Sequence, residues 1–222
     1  MQRHDIDMLY HELRKVSTLM AEDGDGRRAI RGIAQHLTGN NYEGLIEFLS
    51  WYGVTYLGPK IKKVCRDIEF ALATKPERVV EIGAGAGWFG RLIANEFGVS
   101  YIPTDSRLWP GIINRIDVET AEGRKALSEM LRPGDLVAAC DMLHCIDNPD
   151  IVLGELCCHP LIIAETIYLN DGYRMSYIAQ LSRLGATPMT SSEQLLEIFR
   201  KAQRSWWQIR PSDTTYSMFV LP

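Results

Sequence analysis

Several features are missing from this 222-residue chain, and each absence narrows what it can be. No apolar run approaches the roughly 20 residues that a membrane span needs. Residues 1–20 are polar and charged throughout, unlike a secretory signal, so a cytoplasmic protein without a membrane partner is expected. Neither sign of charge dominates: 24 Lys and Arg face 28 Asp and Glu, a net charge of −4. That balance argues against a nucleic-acid partner held by phosphate neutralisation. Cysteine is sparse and odd in number (Cys65, Cys140, Cys145, Cys157 and Cys158), with no Cys-x-x-Cys pair. No disulfide framework or zinc ribbon fits, and the thiols are expected to be reduced and buried or idle. Cys157-Cys158-His159 suggests a metal, but adjacent cysteines suit tetrahedral zinc poorly and no second ligand pair follows. Core burial is the expectation there, and no metal site. Internal repeats and low-complexity tracts are absent as well.

What remains is an ordinary globular composition, 46% apolar and 23% charged. A chain of this length buries roughly 70% of its unfolded surface, enough for a core without staples. The first 75 residues read as a helical cap or lid. Ile6, Leu9, Leu13, Val16 and Leu19 share one helical face, and Gly24-Asp25-Gly26 ends that helix. Further helices follow around Ile30–Leu37 and Leu45–Leu49. Pro59 suits the first turn of another, with Ile61, Val64, Ile68 and Leu72 on its inner face.

From Arg78 short apolar runs alternate with helical stretches, the pattern of a parallel sheet built from βαβ units. Strands are expected near 78–82, 100–104, 112–116, 135–140 and 161–167, with helices near 87–97, 119–131 and 149–157. Residues 170–190 form an insertion, half helix and half loop. Thr190-Ser191-Ser192-Glu193 offers a capping box for a helix carrying Leu195, Leu196 and Phe199. Ser205–Arg210 and Thr215–Leu221, joined through Pro211-Ser212-Asp213, are two strands whose short turn makes them antiparallel. The organisation is thus a cap over 1–75 and an α/β domain over 76–222.

Residues 78–90, Arg-Val-Val-Glu-Ile-Gly-Ala-Gly-Ala-Gly-Trp-Phe-Gly, run from a strand through glycines into a helix. Glycines allow tight turns and close approach, and the helix N-terminus presents unpaired N–H donors. Gly85, Gly87 and Gly90 satisfy the dinucleotide fingerprint literally. Glu81-x-Gly83-x-Gly85-x-Gly87 is similar to the first motif of the class I S-adenosylmethionine-dependent methyltransferases. The strand ends at Ile82, so the first loop glycine is Gly83 and the dinucleotide frame starts one turn late. Asp105 closes the next strand, where a carboxylate accepts both ribose hydroxyls, a feature NAD enzymes share. A glycine-rich turn without any nucleotide is the bland alternative.

The resemblance covers roughly residues 76–168 and the C-terminal hairpin, but neither the cap nor the insertion. It implies a Rossmann-like seven-stranded, mostly parallel sheet ending in an antiparallel hairpin, with S-adenosyl-L-methionine as cofactor. It assigns the cofactor to Glu81, Gly83, Ala84, Gly85, Gly87, Trp88, Asp105, Ser106, Asp117, Val118 and Asp141. Asp117 would stand by the adenine amino group, Val118 by the ring and Trp88 by the methionine portion. Residues 134–144, ending Cys140-Asp141-Met142-Leu143-His144, look like the family's fourth motif. Small-molecule O-methyltransferases often carry the Leu-His pair there with histidine as general base. A ring with a pKa of about 6.5 suits that task at neutral pH; a loop histidine bonded to a backbone carbonyl is the alternative.

Asp147-Asn148-Pro149-Asp150 reads as a helix N-cap with Pro in the first turn, not as the Asn-Pro-Pro-aromatic tetrad of adenine and amide methylation. Tyr10 and Tyr56 in the cap, with Glu165 and Tyr168 after the fifth strand, are the substrate candidates. Of the five tryptophans, Trp206 and Trp207 must face opposite sides of a strand. The reading is therefore a methyltransferase acting on a small-molecule acceptor, with a homodimer forming through the helical cap. An NAD(P)-dependent oxidoreductase and a catalytically inactive cofactor-binding scaffold of the same fold are the rivals.

Overall fold

The computed structural model of the chain describes residues 58–72, 74–85, 87–107, 114–166, 191–210 and 216–222. Most of the cap, the 170–190 insertion and the Pro211-Ser212-Asp213 turn lie outside the described residues.

Pro59 sits in the first turn of α1 (Gly58–Leu72), as its fixed φ favours. The face expected to be inner is so: Ile68 is fully buried, and Val64 and Leu72 pack against the core beside it. β1 (Arg78–Ile82), α2 (Trp88–Phe97), β2 (Ser100–Asp105), β3 (Asn114–Arg115), α3 (Ala121–Met130) and β4 (Asp135–Cys140) follow. After α4 (Pro149–Glu155) come β5 (Leu161–Thr166), α5 (Ser192–Lys201), β6 (Trp207–Arg210) and β7 (Tyr216–Leu221). The seven strands form one sheet in the order β3-β2-β1-β4-β5-β7-β6. β1 lies parallel to β2 and β4, and β4 parallel to β5. β7 runs antiparallel to both β5 and β6, as the closing hairpin requires.

Period-two alternation splits the sheet between two helical layers. Val79 joins Phe89, Ile93 and Ile68 under α1 and α2. Val80 and Ile82 point the other way, onto Leu127 of α3, Leu153 of α4 and Phe199 of α5. β4 is buried along its whole length, which is why its sequence is a continuous apolar run rather than an alternating one. Trp206 and Trp207 do diverge: Trp206 packs on Phe199 at 5.9 Å between ring centres, and Trp207 meets the exposed Phe70 at 6.5 Å.

Two local expectations need correction, and a third, the strand near 112–116, lies partly outside the described residues. The capping box forms one residue later than expected: Ser191 is the N-cap of α5, and the Gln194 side chain accepts the Ser191 N–H at 3.3 Å. Ser191 takes extended backbone there, which an N-cap needs. The described part of β3 is two residues long, pairing Asn114 with Thr104 and Arg115 with Asp105. The thiols are not uniformly buried: Cys65 and Cys140 are, but Cys145, Cys157 and Cys158 are exposed. Cys157 and Cys158 fall in the turn after α4, where no neighbouring layer covers them.

α3 starts at the N-cap Thr120, whose hydroxyl accepts the Gly123 N–H at 3.0 Å. A Cβ on Gly123 would run into the Asp117 backbone carbonyl and stand 2.9 Å from Thr120 Oγ1. Helix propensity alone predicts that Gly123→Ala gains about 1 kcal/mol. Displacing the Asp117 backbone outweighs that, since overpacking costs about 1–3 kcal/mol. Urea unfolding of Gly123→Ala is expected to show a net loss of stability.

Candidate functional site

The strand order reverses between β1 and β4, because β2 and β3 lie to one side and β5 to the other. In open α/β sheets ligands bind in the crevice that this reversal opens beyond the carboxyl ends of the strands. Two loops flank it here: the glycine loop after β1 and the segment Asp141–His144 after β4.

Gly83, Gly85 and Gly87 take φ of +61°, +55° and +71°, the left-handed region that residues with a Cβ largely avoid. The loop is tied to β2 at two points. Ala84 N–H donates to the Thr104 carbonyl at 3.0 Å, and Gly85 N–H donates to Asp105 Oδ2 at 2.9 Å. Gly87 is the N-cap of α2 and, having no side chain, makes no side-chain cap bond to the first turn. Gly90 serves packing: a Cβ there would fall 2.8 Å from both Glu81 Oε2 and the Tyr101 ring. Thr104, which sequence reasoning passed over, also locks the β1 end, its hydroxyl donating to the Glu81 carbonyl at 2.9 Å.

The acids occupy different positions. Glu81 is fully buried against α2, where its carboxylate accepts the Tyr101 hydroxyl. Asp105 accepts Gly85 N–H through Oδ2 and Arg107 N–H through Oδ1, each at 2.9 Å. A carboxylate offers about four lone-pair sites, so two remain for ligand hydroxyls. Ser106 beside it is exposed, and its carbonyl accepts Arg115 Nε. Asp117 is half-buried beyond β3, with Oδ1 accepting Glu119 N–H at 3.1 Å, and Val118 is buried next to it. Trp88 begins α2, while its side chain lies outside the described residues, as do Tyr10, Tyr56 and Tyr168.

Across the crevice, Asp141 follows the end of β4 with φ of +49°, a strained backbone for a residue with a Cβ. The Asp141 N–H donates to the Ala164 carbonyl at 2.8 Å, which holds the turn against β5. Met142 leans on the glycine loop, so that a Cβ on Gly83 would collide with its side chain. His144 follows in a single 3-10 turn, Leu143–Cys145, and is buried. Its Nδ1 lies 2.8 Å from Glu165 Oε2. Glu165 Oε1 accepts the backbone N–H groups of Met142 and Leu143. Both oxygens are thus committed to the β4 loop, and Glu165 stands behind His144 rather than at an open acceptor surface. Nothing in the sequence pairs residues 144 and 165; only the parallel register of β4 and β5 does.

Burial of the ring disfavours the imidazolium, but the Cys145 side chain and the Glu165 carboxylate beside it win. The His144 pKa stands well above its usual value. Asp141, His144 and Glu165 bring one ligand-type atom each within 4.8 Å of the others. With three N–H donors on Glu165, that cluster works as a hydrogen-bonded clamp for the loop. On its outer side His144 lines a cleft of about 500 Å³ with Leu143, Ile146, Pro149, Gln194 and Ile198. No sequence motif marks this cleft between the start of α4 and the length of α5, because it needs the packing of two helices some 40 residues apart.

No helix among the described residues is long and apolar enough to cross a membrane. No protein-family model matches the chain, and no curated protein matches its sequence. Solved structures do share its architecture. An O-methyltransferase family protein from Burkholderia thailandensis superposes with a TM-score of 0.54 at 13% identity, over 81% of this chain and 59% of that one. Human N-acetylserotonin methyltransferase, solved in complex with SAM, superposes with a TM-score of 0.53 at 11% identity, over 84% of this chain and 56% of that one. The chain spans less than two thirds of the length of either relative. At such identities the likeness is one of fold, and the chain has the class I S-adenosylmethionine-dependent methyltransferase fold.

Proposed function

We propose that this protein is an S-adenosylmethionine-dependent methyltransferase of small molecules, with an oxygen acceptor and His144 as general base. The observation that supports the cofactor class best is the sheet order, with antiparallel β7 inserted between β5 and β6. A dinucleotide-binding sheet runs 3-2-1-4-5-6 without that inserted strand. The residues at the crevice fit the cofactor: Asp105 retains acceptor sites for ribose hydroxyls, and α2 begins at a glycine whose missing side chain leaves its positive end open to a carboxylate. Gly83, Ala84, Gly85 and Gly87 cradle it, with Trp88, Ser106, Asp117, Val118 and Asp141 around it. Glu81 contributes by holding Tyr101 and α2 beneath the loop.

When bound, the cofactor supplies a methyl group already activated by its sulfonium, so the protein mainly has to align the acceptor. The cleft beside His144 receives the acceptor in this reading. Glu165 holds Nδ1, so Nε2 takes the acceptor proton as its oxygen becomes nucleophilic. Tyr10, Tyr56 and Tyr168 are further proposed contacts for the acceptor.

Calorimetry with S-adenosylhomocysteine, S-adenosylmethionine and NADH tests the cofactor. Both adenosyl ligands are expected to bind, and Asp105→Ala to weaken them by about tenfold or more, the loss of one to two hydrogen bonds to a charged group. Heat from NADH alone would overturn the reading. Methyl release across a panel of phenol, carboxylate and amine acceptors then separates an enzyme from an inactive scaffold, which binds without turnover.

A further inference from the structure

Cys157 and Cys158 lie before β5, outside the site proposed for methyl transfer, and are the only adjacent cysteines in the sequence. The turn that closes α4 leaves both side chains exposed, with their Sγ atoms 3.9 Å apart. A disulfide needs its sulfurs at about 2.05 Å, nearly 2 Å closer. A single centre bonded to two thiolates at about 2.3 Å sets them about 3.3–3.8 Å apart for bond angles of about 90–110°. The pair therefore stands close to chelating span, well short of disulfide contact.

Ligand number decides which centre fits. Structural zinc takes four protein ligands. Among the described residues the one close group of three or more His, Cys, Asp and Glu is Asp141–His144–Glu165, at the other end of β4 and β5. A trivalent thiophilic centre that carries its own organic substituent needs only two. The hydrogen bond shared with Cys157 holds the Cys158 thiol above its ordinary pKa, and the Arg204 cation acts in the opposite sense. The sulfurs thus rest as a mutually bonded pair and lose their protons on chelation. Arg204 cannot swing away, because four backbone carbonyls hold its guanidinium.

We propose that Cys157 and Cys158 form a vicinal-dithiol site that chelates one trivalent organoarsenical centre. Two As–O bonds of the oxide are replaced by two As–S bonds. Both thiol protons leave on the oxygen as water, and arsenic stays trivalent, so no oxidant or reductant is needed. The site lies before β5, at the end of the sheet away from the glycine loop, and cofactor binding is expected to be unchanged when it is filled.

Phenylarsine oxide added to the reduced full-length chain tests this by intact mass. One adduct is expected, stable to excess 2-mercaptoethanol and released by 1,2-ethanedithiol. Cys157→Ser and Cys158→Ser are each expected to weaken binding by about a hundredfold or more, the loss of a second tethered contact. Cys145→Ser should bind as the parent does. Circular dichroism of the serine variants, whose positions are exposed, should match the parent. An adduct stripped by the monothiol would overturn the site, as would tight binding that survives in either Cys157→Ser or Cys158→Ser.

Discussion

Replacing His144 by Gln is expected to lower methyl-transfer turnover by about 10²- to 10⁴-fold, the contribution of a well-placed general base. Affinity for S-adenosylhomocysteine should stay unchanged, because Thr104 and Asp105 rather than His144 hold the glycine loop. Steady-state rates set beside calorimetry separate the two effects, and a parental rate in His144→Gln removes the residue from the mechanism. The pH profile gives a second readout. The Glu165 carboxylate favours the imidazolium, so the base becomes neutral only above its ordinary range, and the rate should climb on the alkaline side of about pH 6.5. Glu165→Gln removes that carboxylate, so the inflection should move to lower pH while the substrate KM changes little. A merely structural glutamate would leave the inflection in place.

The same pair makes stability depend on pH. The folded pKa of His144 lies above the unfolded value, so the folded chain binds more protons between the two. Its contribution is fully present below about pH 6.5 and is lost as pH rises through the raised folded value. Urea unfolding at rising pH should follow that loss in the parent, and in Glu165→Gln the dependence should flatten.

Arg204→Met is expected to cost about 3 kcal/mol or more, because several buried acceptors lose a charged donor at about 1–3 kcal/mol each. Arg204 is 5% exposed and donates to the carbonyls of Leu156 at 2.8 Å, His159 at 2.9 Å, Leu221 at 3.1 Å and Pro222 at 3.0 Å. Burial pulls its pKa down, with the Cys157 and Cys158 sulfurs opposing, and a guanidinium stays charged regardless. At Leu156, His159 and Leu221 the charge meets carbonyl dipoles, that of Leu156 lying at the negative end of α4. Met fills similar volume but donates nothing and leaves buried carbonyls unpaired. The melting temperature should fall by about 10 °C or more for a chain of this size. Arg204→Lys should recover only part of it, since an ammonium has three donors and no planar fork. A Met variant that melts with the parent would show that water replaces the guanidinium without loss.

Much of the fold could be read from the chain because its signals are local. Ile82 ends an apolar run and Gly83 begins a glycine-rich turn, so the β1–loop–α2 unit is visible without any long-range knowledge. Pro211-Ser212-Asp213 is too short a connection for anything but an antiparallel return, and β6 and β7 do pair that way. Where the reading missed, the deciding contact was distant. Either Thr190 or Ser191 could cap α5 by residue type, and the Gln194 contact together with extended backbone at Ser191 selects the second. Cys157 and Cys158 belong to an apolar-looking stretch, but they fall where the chain turns at the protein's surface.

The glycine loop, the acids that close the strands and the Leu-His pair were written in the sequence itself, because each depends on residue type and spacing along one element. Which of those residues meet was decided by tertiary structure alone. The parallel register that sets Cys140 of β4 against Ala164 of β5 brings His144 onto Glu165, 21 positions away, and that carboxylate joins Cys145 in favouring the imidazolium against burial. The thiols of Cys157 and Cys158 likewise became a candidate site only once the turn after α4 was seen to leave them uncovered. Spacing reports which face of an element a side chain occupies; which other element covers that face is a property of packing between distant parts of the chain.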